Sequence, residues 1–373
     1  MQQKIVCSTV LALLLSLGSA HAYWHNLLTD DFSQAGAWSY QGATNISGQP
    51  LFRYDPVNQV VQAEWDQANR FNDHGDPYFI INSVFHHPLA QPLTDRRTFR
   101  FGGTLNIVTR SIPDTTEFFQ IANFGLCNLA VTGPDRTMTD NWSGNTTILK
   151  DASDFIEFNY FINNNSWGFN PNIQPTIGAH IDGLDGEYTV GSGTDTGFWN
   201  NTDMGPDHYL PTDTNLYIEV IYYGAATGSL ARRAYAAIYT EPERTNILFV
   251  NGVSMHYWTQ PLPEDQFFTL TDFAFLNYPT ANWGGANGIG MGSFDDVYAD
   301  LHIAEGEFFA KHMNGEHLTL SIGAISGAVY QIESCSDLAL GNWITNEVTQ
   351  AGGEVVTFTN QLNGNARYYR VSQ

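Results

Sequence analysis

The strongest constraint on this chain is a two-residue hydrophobic alternation, repeated along its length and broken by turn-forming clusters. Phe99, Phe101, Leu105 and Ile107 share one parity, with Arg100 and Asn106 on the other. Successive side chains of a strand point to opposite faces, so this pattern marks a half-buried strand. Ile156, Phe158, Tyr160 and Ile162 repeat it, as do Leu216, Ile218, Val220 and Tyr222, and then Val297, Ala299, Leu301 and Ile303. Residues 118–131 are apolar on both parities at their centre, as expected of a strand covered on both sides. Asn163-Asn164-Asn165-Ser166 and Gly191-Ser192-Gly193-Thr194 are typical of the punctuation between the runs. No long helical-period segment competes and no internal repeat of fixed period is present, so the expected fold class is all-β.

Composition excludes several functions. The 373 residues carry 15 Lys+Arg against 38 Asp+Glu, a formal net charge of -23. Such a chain repels phosphate backbones, which argues against nucleic acid as a partner. Aromatics make up 14% of the residues, which argues against disorder. Lysine occurs only at Lys4, Lys150 and Lys311, so the acidity reflects missing lysine more than crowded acid. It reads first as solubility, and it favours neutral glycans over anionic ones as ligands.

Lys4, the apolar run Ile5 to Leu17 and Ala20-His21-Ala22 read as a secretory signal peptide over 1–22, cut before Tyr23. The apolar run is shorter than a membrane span of about 20 residues, so no transmembrane anchor is expected after cleavage. The expected location is extracellular or at the cell surface, with the periplasm as a further option. Cys127 and Cys335 remain in the mature chain and are read as two separate buried thiols. A composition change at Ala304-Glu305-Gly306 divides a large domain, 23–305, from a small one, 306–373. The small domain shows strand signals at Leu318-Leu320-Ile322, Tyr330-Ile332, Val356-Phe358 and Tyr369-Val371.

Three stretches carry a resemblance. Leu28-Thr29-Asp30-Asp31-Phe32-Ser33 is similar to an opening strand. Ile121 to Leu126 with Phe155 to Phe161 is similar to a central strand pair. Gly292-Ser293-Phe294-Asp295-Asp296-Val297 is similar to a closing strand. Together they resemble the concanavalin A-like lectin/glucanase (laminin-G-like) superfamily. The resemblance implies a two-sheet antiparallel jelly-roll sandwich. The tail, from Tyr330 through Trp343 to Val371, is similar to a small β-sandwich domain that ends many secreted bacterial proteins.

Glucanases of this superfamily use E-x-D-x-x-E on one strand, and a retaining pair needs carboxylates about 5–5.5 Å apart. The matching segment here has Glu157, but Asn159 stands at the Asp position and Ile162 at that of the second Glu. The alginate-lyase pattern also departs. Arg97-Thr98-Phe99-Arg100 lacks its Glu, and Gln120-Ile121-Ala122 lacks its His. No catalytic residue is therefore assigned. His86-His87 is read as structural or surface, and Asp295 and Asp296 as strand-end hydrogen-bond acceptors.

The residues point instead to binding. Trp142, Trp167, Trp199 and Trp283 each sit in an Asn/Gly-rich stretch. An indole face packs on the C–H face of a pyranose while neighbouring amides bond its hydroxyls; the same residues also serve as loop anchors. Glu157 and Asn159 share a strand face with Phe155 and Phe161, a mixed surface suited to a sugar groove. Asp182, Asp185 and Glu187 form an acidic Gly-containing loop. Calcium takes about six to eight oxygens, and such a loop is a candidate Ca²⁺ site, although Asp/Gly also makes ordinary turns. The expected function is a secreted, non-catalytic, lectin-like carbohydrate-binding protein. A cell-surface structural or adhesive protein is the alternative, and a hydrolase or lyase with an unrecognised site stands behind both.

Overall fold

The computed structural model describes residues 22–34, 36–42, 44–45, 47–66, 83–111, 119–129, 154–162, 172–181, 188–190, 209–226, 228–250, 252–277, 289–304, 308–314, 317–324, 327–335, 343–353, 355–361 and 368–372. They fall into two compact units. Asn26–Leu301 is one; His302–Gln373 with residues 22–25 is the other. The proposed signal segment lies outside the described residues.

The strands of the larger unit are, in chain order, β1 (Ala22–Asp30), β2 (Ser39–Gly42), β3 (Phe52–Asp55), β4 (Val60–Asp66), β5 (Ser83–Thr94), β6 (Thr98–Ser111), β7 (Phe119–Cys127), β8 (Phe155–Ile162), β9 (Asn172–Ile181), β10 (Tyr188–Val190), β11 (Asn215–Tyr223), β12 (Ala234–Tyr239), β13 (Phe249–Val250), β14 (Val253–Ser254), β15 (His256–Trp258), β16 (Gln266–Phe267), β17 (Thr269–Asn277) and β18 (Ile289–Ala304). The first sheet runs β15-β12-β11-β6-β18-β4-β3, with β1 also on β18. The second runs β10-β9-β8-β7-β17-β5-β2, with β16 also on β9. β13 and β14 form a separate hairpin. The chain crosses between sheets repeatedly, and the described pairings are antiparallel.

The alternating runs close the sandwich as their parity requires. Phe99, Phe101, Leu105 and Ile107 are fully buried, and so are Leu216, Ile218, Val220 and Tyr222. From the second sheet come Phe124, Phe158, Phe273 and Phe275. Rings meet across the layer: Phe101 lies 6.2 Å from Phe124, and Phe124 lies 5.5 Å from Phe294. β7 is buried on both parities from Ile121 to Cys127, as its continuous apolar centre requires.

Each of the three stretches that carried the resemblance contains a left-handed residue. Phe32 has φ 50, Ala122 φ 58 and Asp296 φ 48. Around Phe32, Asp30 does the holding. Its Oδ1 accepts from the Phe32 amide at 2.7 Å, and its Oδ2 accepts from the Trp38 indole at 2.6 Å. Trp38 then stacks on Phe85 at 5.1 Å and on Phe275 at 5.3 Å. Ala122 sits in a β-bulge, where the register with β8 shifts between Ile121 and Phe124. Asn123 plugs that bulge, its Oδ1 accepting from the Tyr160 amide at 3.3 Å. Asp296 sits in a second bulge, where the β18–β6 register shifts between Asp295 and Tyr298. Asp295 and Asp296 are thus not at a strand end: they lie inside β18, and Asp295 Oδ1 accepts from the Asp296 amide at 2.8 Å.

Tyr160 ties β8 to the segment before β11. Its hydroxyl accepts from the Leu210 amide at 3.1 Å and from Arg110 Nη1 at 3.3 Å. Burial pushes this phenol from 10 up to about 12. Burial likewise lifts Tyr223, Tyr239 and Tyr257 to about 12. A folded-state value above the unfolded one means stability that is complete below pH 10 and lost as pH rises through about 12. An alkaline titration followed by tyrosinate absorbance and circular dichroism should show these phenols ionising together with unfolding. Ordinary ionisation near pH 10 with the fold intact would contradict it.

The smaller unit has β19 (Phe308–Asn314), β20 (His317–Gly323), β21 (Val329–Cys335), β22 (Ile344–Gln350), β23 (Val355–Gln361) and β24 (Tyr368–Ser372). They form two three-stranded sheets, β19-β20-β23 and β22-β21-β24. One core joins both: Leu318, Leu320, Ile322, Tyr330, Ile332, Val356 and Phe358 are all buried in it. Four of the six strands follow the sequence pattern. β22 does not, because this edge strand leaves Ile344 67% and Val348 58% exposed. Cys127 and Cys335 are both buried and no disulfide joins them.

Candidate functional site

The face of the second sheet turned away from the sandwich core gathers the polar residues that the sequence singled out. Its layout follows from register. Glu157 on β8 pairs with Gly125 on β7, Gly125 with Ala274 on β17, and Ala274 with His86 on β5. This row therefore sets a carboxylate and an imidazole on either side of two small residues. The next row pairs Gly178 with Phe155, Phe155 with Cys127, and Cys127 with Asp272. The row on the other side holds Asn159, Asn123 at its bulge, Leu276 and Val84.

The glycines are needed where side chains lie flat on the sheet. A Cβ on Gly125 would sit 2.2 Å from the Ile156 carbonyl oxygen and 3.0 Å from Glu157 Cγ. A Cβ on Gly178 would sit 2.3 Å from the Phe155 ring. Glu157 thus leans over Gly125, and Phe155 lies over Gly178.

The electrostatics are specific. His86 Nδ1 is 3.1 Å from Asp272 Oδ1. The other Asp272 oxygen accepts from the Thr271 hydroxyl at 2.6 Å. An Asp on one ring nitrogen fixes the tautomer and orientation of an imidazole. Glu157 is 1% exposed, Asn159 3% and Asn123 0%. Val84, Cys127, Phe155, Ala274 and Leu276 form a buried apolar cluster among them.

Of the six residues expected to bind ligand, Glu157 and Asn159 are brought together here. Trp142, Trp167, Trp199 and Trp283 lie outside the described residues, as do Asp182, Asp185 and Glu187. The strands place the departures of their connections. β7 ends at Cys127 and β8 starts at Phe155, which pair, so the Trp142 connection leaves at that end of the second sheet. The Trp167 and Trp283 connections leave β8 after Ile162 and β17 after Asn277, at the opposite end. The Trp199 connection leaves β10 after Val190, level with Gly178 and Phe155, at the same end as the Trp142 connection. Among the described residues, no group of three or more His, Cys, Asp or Glu is arranged to hold a metal.

Sequence reasoning read His86 as structural or surface and passed over Asp272. Their only signal was that each sits in a strand run, and register alone makes them neighbours.

No protein-family profile matches the chain, and no curated protein matches it. Solved structures do. A prokaryotic β-1,3-1,4-glucanase (lichenase) from a mouse hindgut metagenome matches at 7% identity and TM-score 0.32, over 74% of this chain and 98% of that one. The exoplasmic/lumenal domain of VIP36, in a Ca²⁺/Man3GlcNAc-bound form, matches at 10% identity and TM-score 0.35, over 79% of this chain and 94% of that one. A marine alginate lyase from Zobellia galactanivorans matches at 11% identity and TM-score 0.32, over 74% of this chain and 94% of that one. Likenesses at this level carry no argument about activity. Two antiparallel sheets of eight strands each give the large unit the all-β, two-sheet antiparallel sandwich that the alternation led us to expect.

Proposed function

We propose that this is a secreted, non-catalytic carbohydrate-binding protein, lectin-like in action. The observation that carries the reading is the row Glu157, Gly125, Ala274, His86 with Asn159 and Asn123 beside it. It alternates hydrogen-bonding groups with small and apolar ones on one sheet face. A pyranose has the same character, hydroxyls at its rim and C–H bonds on its faces. Bonds made by desolvated groups are stronger than those made in water. Trp142, Trp167, Trp199 and Trp283 would add ring contacts from the connections at the two ends of that sheet. Neutral glycans suit a chain of net charge -23. Calcium held by Asp182, Asp185 and Glu187 belongs to this reading as a loop-ordering ion.

A second reading has its own observation. An imidazole oriented by a carboxylate, with another carboxylate on the same row, is the equipment of general acid–base chemistry. A glycan-cleaving enzyme with an unassigned site therefore stands second.

One experiment separates them. The mature protein is run through gels containing a panel of neutral and anionic polysaccharides, with and without EDTA, while reducing ends and unsaturated products are assayed. Retardation by a neutral glycan without products is the expected result. The triple change Trp167→Ala, Trp199→Ala and Trp283→Ala should weaken it about tenfold or more. Product formation that is lost in His86→Ala would establish the second reading. Neither retardation nor products with any member of the panel would overturn both.

A further inference from the structure

The smaller unit leaves one long sheet edge unguarded. β23 ends the sheet β19-β20-β23, and among the described residues β20 is its only strand partner. Its seven residues, Val-Val-Thr-Phe-Thr-Asn-Gln over 355–361, hold no charge, no proline and no glycine. Its register against β20 is unbroken, from Gln361 opposite His317 to Val355 opposite Gly323. Val356 and Phe358 enter the core, while Thr357 and Thr359 stand exposed on the outer face.

An open strand edge presents a row of unpaired backbone donors and acceptors. Proteins guard such edges with charge, proline, a bulge or shortness. The other described edges each show a guard. β2 and β3 are four residues long, β10 and β15 three, and β13, β14 and β16 two. β1 carries Asp30 and β24 carries Arg370. β22 carries Glu347, and its register against β21 shifts between Ile332 and Glu333. β19 carries Lys311, and its register against β20 shifts between Phe308 and Ala310. β23 alone among them is long, regular and uncharged.

We propose that this edge joins two copies of the chain, β23 of one pairing antiparallel with β23 of the other about a two-fold axis. A two-fold contact presents the same surface from both sides, so one strand supplies the whole interface. The register that uses all seven residues is centred on Phe358. It sets Thr357 opposite Thr359 of the partner subunit, and Val356 opposite Asn360 of the partner subunit. The proposal does not depend on glycan binding.

Chemistry selects a second copy as the occupant. Thr319 Oγ1 lies 3.4 Å from Thr359 Oγ1, and Ser321 Oγ lies 3.1 Å from Thr357 Oγ1. A hydroxyl has one donor and two acceptor sites, so each exposed threonine has capacity for a second bond. Opposed threonines across the two-fold would carry both hydroxyl ladders on into the partner's sheet. Charge points the same way. Copies of net charge -23 repel one another, and an uncharged strand is where they approach at least cost. Seven residues of strand span about 23 Å. A contact of that length falls below the roughly 800 Å² per side of a standard interface, so the dimer forms weakly and reversibly.

The test is sedimentation velocity of the full chain from about 1 µM to about 200 µM, at low and high NaCl. Monomer should give way to dimer with a midpoint on the order of 10–100 µM, and salt should favour the dimer by screening the net charge. Thr357→Lys combined with Thr359→Lys sets like charges opposite one another and should weaken association about tenfold or more. Its circular dichroism should not change, because both side chains are exposed. Thr345→Lys, on the edge strand β22, should leave association as it was. Cross-linking reads the register. Thr357→Cys protein mixed with Thr359→Cys protein should form a disulfide-linked dimer on mild oxidation, and either protein alone should form several-fold less. Cys127 and Cys335 are buried and stay out of that reaction. Monomer at every concentration and salt would overturn the proposal and leave the edge to a segment of a different chain. A dimer untouched by the paired lysine changes, or one that cross-links equally with either cysteine alone, would overturn it too.

Discussion

Arg232→Ala should cost on the order of 3–5 kcal/mol of stability, because it strands a buried carboxylate. Arg232 lies between β11 and β12 in the left-handed region, at φ 56. Its side chain runs inward. One Nη2 contact is Asp95 Oδ2 at 3.0 Å, and Nη1 donates to the Pro263 carbonyl at 2.7 Å. Nη2 also donates to the Gln266 carbonyl. The planar guanidinium thus joins Asp95 to two carbonyls of the segment leading into β16. Asp95 is 5% exposed, and its own carbonyl accepts from the Tyr222 hydroxyl at 3.0 Å. Removing the arginine takes the guanidinium from that buried carboxylate and one donor from each of the two carbonyls. Arg232→Lys should lose less, since the charge remains but the fork geometry does not. Arg232→Met combined with Asp95→Leu should recover part of the loss, as an apolar pair often replaces a buried ion pair without penalty. Urea unfolding of the four proteins checks this. A loss below about 1 kcal/mol in Arg232→Ala would show that the pair is solvated rather than buried.

The same residues show what parity alone reveals. Hydrophobic alternation identified the sandwich, because each of Phe99, Leu216 and Val297 sits in a run where inside and outside are separated by one residue. It also placed Glu157 and Asn159 on one face. Register was not legible. Which strand lies beside which depends on crossovers between sheets, and these bring Asp272 beside His86 across 186 residues of chain. The contact of Tyr223 and Tyr235 with Trp258 was hidden for the same reason, since the three rings come from three strands and none of them makes a local motif. β22 was missed because Ile344 and Val348 do not face a core. The motif stretches were legible as strands but not as bulges. Ala122 and Asp296 give no glycine signal for a positive φ. Their conformations are held by Asn123 plugging one bulge and by Asp295 Oδ1 accepting from the next amide, that of Asp296, in the other.

The other large effect is expected at Phe275, where Phe275→Ala should cost about 3–5 kcal/mol. This ring is fully buried on β17 of the second sheet. It meets Phe294 of the first sheet at 4.4 Å and Phe52, also of the first sheet, at 6.2 Å. Phe32, Trp38 and Phe85 close around it at 6.3, 5.3 and 6.3 Å. One side chain therefore links both sheets with the turn that Asp30 organises, and no neighbour can fill the space without leaving another gap. Phe275→Leu keeps more of the volume and should cost clearly less. Phe249→Ala is the control: Phe249 is 66% exposed, and its loss should fall within about 0.5 kcal/mol. Urea midpoints for the three proteins give the ranking, and a Phe275→Ala value near that of the control would refute the linking role. The effect on function separates from the effect on stability. Asp272 and Ala274 lie on the other face of β17, so folded Phe275→Ala protein should still be retarded by the glycan that retards the parent chain. Loss of retardation in protein that remains folded would mean that the core face sets the position of the row from Glu157 to His86. In that case the site would depend on packing beneath the sheet as much as on the groups displayed above it.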